Sequence, residues 1–72
     1  LPELANVQWE ENRRGGWEAW HCPPGAIHRR EKTYLGYLGV RQLRQWEQES
    51  PEGFHELVID WVAEKRKEKQ IE

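Results

Sequence analysis

The chain has 72 residues, room for one domain but not for a large core, and its single cysteine, Cys22, excludes an internal disulfide as a staple. A net charge of −2 excludes binding to nucleic acid by bulk positive charge alone. No apolar run approaches the ~18 residues of a membrane-spanning helix. Five tryptophans, at 9, 17, 20, 46 and 61, supply the buried area that disulfides would otherwise replace. The lone thiol fits a reducing, cytoplasmic compartment. A start at Leu1 and the absence of methionine read as a piece of a longer protein. Charge is uneven: residues 1–44 carry seven Lys/Arg against five acids, residues 45–72 four against eight.

In chain order, residues 1–6 are an irregular lead-in to a single α+β domain spanning 7–70. Val7–Glu11 is a short strand anchored by Trp9. Asn12-Arg13-Arg14-Gly15-Gly16 is a turn, since Asn and Gly accept positive φ. Trp17–Cys22 alternates as a strand until Pro23-Pro24 interrupts it, and Ile27–Leu38 supplies a longer one. The sheet thus occupies 7–38. Val40, Leu43 and Trp46 recur at helical spacing and predict a helix over 40–49. Ser50-Pro51 then predicts a second helix over 51–69, with Ser50 as N-cap and Pro51 at the first position. Phe54, Leu57, Val58, Trp61 and Val62 form its apolar stripe, and the charged stretch from Glu64 onward is expected to fray. The fold class is a three-stranded antiparallel sheet packed against two C-terminal helices.

A tight loop at Pro23–Ala26 would pair Cys22 with Ile27 and Trp17 with Lys32. Alternation then sorts the side chains. Trp20, Cys22, Ile27 and Leu35 would share the core face with Glu18, Arg29, Glu31 and Thr33. Trp17, Ala19, His21, His28, Arg30, Lys32 and Tyr34 would form an exposed, basic and aromatic face.

Gly-Gly-Trp at 15–17, a strand, a Pro/Gly turn and a basic strand running into Tyr-Leu-Gly at 34–36, followed by a helix, resemble two DNA-binding families. These are the plant ethylene-response-factor domains and the arm-type domains of integrases. The resemblance covers residues 7–49 and implies a sheet face laid in the DNA major groove. It would give Trp17, Arg30, Lys32 and Tyr34 the DNA-contacting positions, place Leu35 in the core and make Gly36 close the strand. Where the plant family is rich in arginine, this chain has Gln8, Glu10 and Glu11.

The face has two functional readings. As a nucleic-acid module, DNA above all, it would neutralise phosphates with basic side chains and stack or pack rings on bases and sugars. As a protein-interaction module or accessory subunit, it would use the same aromatics. The candidate binding residues are Trp17, His28, Arg30, Lys32 and Tyr34, with Arg13 and Arg14 on the adjoining turn. His21, Cys22, His28 and His55 raise the question of zinc, but neighbouring strand residues point to opposite faces, and Cys22 reads as a small buried hydrophobe. No phosphate loop, paired carboxylates or nucleophile–base motif argues for catalysis, a cofactor or a small-molecule substrate.

Overall fold

The computed structural model describes residues 1–24 and 31–71. Strands β1 (Val7–Glu11), β2 (Trp17–His21) and β3 (Thr33–Leu38) form an antiparallel sheet in the order β1-β2-β3. Helices α1 (Val40–Glu49) and α2 (Phe54–Glu68) follow in sequence and complete an α+β architecture.

The β1–β2 connection is closed by its own chemistry. Gly15, at φ 85°, takes the left-handed conformation that glycine adopts without penalty. Its N–H donates to the Asn12 carbonyl at 3.1 Å, and the Asn12 N–H donates to the Gly16 carbonyl at 2.9 Å. The Asn12 side-chain oxygen accepts from the N–H groups of Arg14 and Gly16, both at 3.0 Å. Arg13 and Arg14 are thereby held at the tip of a locked turn, both exposed.

The β2–β3 register carries an irregularity. Ala19 faces Gly36, but Trp20 faces Tyr34, so Leu35 is an extra residue on β3. The bulge turns Leu35 and Gly36 toward the helices and leaves both Tyr34 and Tyr37 pointing away from them. In a regular strand, residues three apart would point to opposite faces.

This register corrects the side-chain sorting on β2. The tight loop would have put Trp20 opposite residue 29; it lies opposite Tyr34, five positions further on. An odd displacement exchanges the two faces of one strand relative to the other. Ala19, not Trp20, therefore enters the core with Leu35 and Val62, where Leu4, Val7, Trp9, Trp61 and Ile71 pack around them. The exchange is sterically sensible. Trp9 stands opposite Ala19 on β1 and stacks on Trp61 of α2, with centroids 6.4 Å apart and planes inclined by 23°. The smallest side chain of β2 thus sits next to the largest pair. Leu35 and Val62 occupy the core as the sequence implies, and Val58 is also fully buried.

Four further boundaries differ. Among the described residues β3 begins at Thr33, and the rest of the strand expected from Ile27 lies in large part outside them. Gly36 does not close β3, which continues to Leu38; it makes room there for the Trp61 ring, whose nearest atom would stand 3.0 Å from any Cβ. The second helix begins at Phe54, because Ser50 ends α1, donating its N–H to the Trp46 carbonyl at 2.9 Å, and Gly53 caps α2. The C-terminal end of α2 does not fray. Gln70 adopts φ 60°, its N–H donates to the Lys67 carbonyl at 3.0 Å, and the Ile71 N–H donates to that of Arg66 at 2.8 Å. These paired bonds are a Schellman closure, accompanied by Ile71 packing on the core.

Candidate interaction face of the sheet

With Trp61 and Val62 of α2 packed on one side, the opposite side of the strands is, among the described residues, the one that α2 does not cover. By alternation it carries Gln8 and Glu10 of β1, Glu18 and Trp20 of β2, and Tyr34 and Tyr37 of β3. Lys32, just before β3, joins them: its Nζ is 2.8 Å from Glu10 Oε1 and 4.3 Å from the centroid of the Trp20 ring. The Trp20 ring meets Tyr34 edge-on, with centroids 5.0 Å apart. One side of this face is therefore an internal cluster, in which the Lys32 side chain retains only 11% exposure. A cation so paired and so covered is spent within the fold and presents little charge to a phosphate.

The exposed part lies toward the β1–β2 turn. Tyr34 and Tyr37 are 39% and 42% exposed, a large apolar display for one short strand. With Asn12, Arg13, Arg14 and Glu18 they line a shallow groove of about 430 Å³. Tyr37 lies across Gly16, where an added Cβ would meet the tyrosine hydroxyl and stand 2.8 Å from the Leu38 carbonyl. Arg13 and Arg14 have no carboxylate partner among the described residues. Burial first, and then the charge of Glu18 and the neighbouring Tyr37, raise the Tyr34 pKa above 10.0.

Of the side chains singled out from sequence, Tyr34, Lys32, Arg13 and Arg14 stand on this face or its bordering turn. Trp17 does not: it shares the helix side of β2 with Ala19, opposite buried Leu38, and is half-buried. His28 and Arg30 lie outside the described residues. Trp20, Tyr37 and Glu18 were not among the sequence candidates. Period-two counting from Tyr34 assigns Tyr37 to the core, and the signal that could have found it is Gly36, since a glycine inside a strand often marks a bulge.

Cys22 is half-buried rather than enclosed, and its thiol donates to the Gln8 side-chain oxygen at 3.5 Å. His21 sits on the other side of the sheet. Burial, reinforced by the Arg66 charge, lowers its pKa. Its Nδ1 and the Arg66 Nε are buried with no hydrogen-bond partner among the described residues. Arg66 Nη2 donates to the Ala5 carbonyl at 2.8 Å and so ties α2 to the lead-in. Among the described residues no three His, Cys, Asp or Glu side chains converge as metal ligands, and no helix is long and apolar enough to cross a membrane. No family model, curated protein or solved structure matches this chain.

Proposed function

We propose that this chain is a non-enzymatic protein-interaction module whose partner docks on the open sheet face beside the β1–β2 turn. The observation that carries the reading is the pairing of two exposed tyrosines, Tyr34 and Tyr37, with two exposed arginines on a locked turn. Tyrosine and arginine are the residues that most often dominate protein–protein binding energy. Glu18 within the groove and Glu10 against Lys32 weigh against a phosphate backbone lying across the same face. A nucleic-acid partner, DNA in particular, is the second reading. It is favoured by Arg13 and Arg14, which could neutralise phosphates while the tyrosine rings stack on bases.

Pull-down with the intact chain and with a Tyr34→Ser/Tyr37→Ser variant, each with and without nuclease treatment, separates the two. The protein reading expects a partner retained by the intact chain, lost by the variant and indifferent to nuclease. A mobility shift with duplex DNA that weakens steeply with salt and vanishes in Arg13→Glu/Arg14→Glu would replace it by the second reading.

A further inference from the structure

The groove is electrically lopsided. At the turn end stand two guanidiniums without carboxylate partners among the described residues; further along β2, Glu18 places a carboxylate between them and the Trp20–Lys32 cluster. The aromatic side of the groove is supplied by β3, through Tyr34 and Tyr37, and the charged side by β2 and the turn. An extended chain lying across β2 and β3 would meet both, with the side chains that line the groove supplying selectivity.

Resting on the protein-interaction reading, we infer that the partner segment is an extended peptide, acidic at one end and apolar along the rest, lying in the groove formed by the turn, β2 and β3. Its carboxylates meet Arg13 and Arg14 at the turn. Its apolar or aromatic side chains lie against Tyr37 and then Tyr34. The acidity is confined to the turn end, because a second acidic cluster further along would face Glu18. Charge complementarity commits the occupant to this chemistry: a basic peptide would leave both arginines opposed by like charge, and a uniformly acidic one would be repelled at Glu18. The locked turn adds to the selectivity, since the Asn12 bonds fix the backbone that carries both guanidiniums and leave little to order on binding.

The test uses the intact chain, 15N-labelled, with two blocked synthetic peptides, Asp-Asp-Val-Tyr-Val and Lys-Lys-Val-Tyr-Val, followed by amide chemical shifts at low salt. The acidic peptide should bind at least about tenfold more tightly than the basic one. Its shifts should centre on Arg13, Arg14, Tyr34 and Tyr37 and shrink at high salt. In Arg13→Glu/Arg14→Glu the preference should reverse, an outcome that mere unfolding cannot produce. Equal binding of both peptides, binding elsewhere on the chain, or no binding of either at millimolar peptide would overturn the inference. Equal binding that still requires Tyr34 and Tyr37 would leave the protein-interaction reading standing. Shifts of the same residues by a duplex oligonucleotide, with neither peptide bound, would remove that reading as well.

Discussion

At the scale of single residues, Gly16 and Gly36 do opposite jobs with the same missing side chain. Gly36 yields space to a tryptophan on the helix side, and Gly16 yields it to Tyr37 on the open side. The two vacancies are unequally forgiving. At Gly36 an added methyl would press on the Trp61 ring, with the Lys65 chain 3.4 Å away, and small side-chain shifts could absorb it. At Gly16 the obstacles include the Leu38 carbonyl, which the sheet holds in place. Gly16→Ala should therefore cost about 1–3 kcal/mol, as overpacking of a fixed site does. It should also push Tyr37 off the turn. Urea unfolding gives the first quantity, and the Tyr37 ring signals in an NMR spectrum the second; an unchanged midpoint would contradict the packing described.

Among elements, α2 is informative because its two ends are built differently from what its residues announce. Ser50-Pro51 has the chemistry of a helix start, yet the chain uses Ser50 to finish α1 and delays α2 to Phe54. The charged tail has the chemistry of a frayed end, yet it is closed by reciprocal backbone bonds with Gln70 in the left-handed region. A residue with a Cβ pays there for a conformation that glycine takes freely. Gln70→Gly should stabilise the protein by about 0.5–1 kcal/mol despite lowering helix propensity nearby, because position 70 lies beyond the helix proper. Thermal denaturation would register the gain. A loss of stability would mean that Gln70 makes a contact worth more than its strain.

On the scale of the whole molecule, stability should depend on pH in part through the half-buried imidazole of His21. His21 is held below its ordinary pKa of 6.5 by burial and by Arg66. The unfolded chain thus takes up a proton at a pH where the folded chain does not. The resulting contribution is complete above about pH 6.5 and is lost as pH falls through the folded value. Urea midpoints should drop as pH falls below about 6.5, and His21→Phe should flatten that drop. An equal slope in the variant would assign the dependence to other groups.

The same scale shows what could be read from residues alone. Strand order, both helices and the Leu35, Val58 and Val62 core positions follow from short-range periodicity, which the chain states openly. The relative faces of β2 and β3 do not, because they depend on which residues of β3 stand opposite β2. One extra residue, Leu35, then decides which tyrosines share a surface. Alternation within a strand is local information; register between strands is not. The site is partly visible for that reason: Arg13, Arg14 and Tyr34 are legible from turn and strand chemistry, whereas Tyr37 and Glu18 join it only through the register.

The order of elements, with every strand ahead of both helices, has a consequence for how the chain can fold. The side of the sheet carrying Trp9, Ala19 and Leu35 packs on Trp61 and Val62 of α2, the last element in the chain. A small sheet with its core face uncovered is marginal in water, and domains fold as units, so the strands and α2 form together. A chain cut after Leu38 would hold all three strands and none of the α2 side chains that cover them.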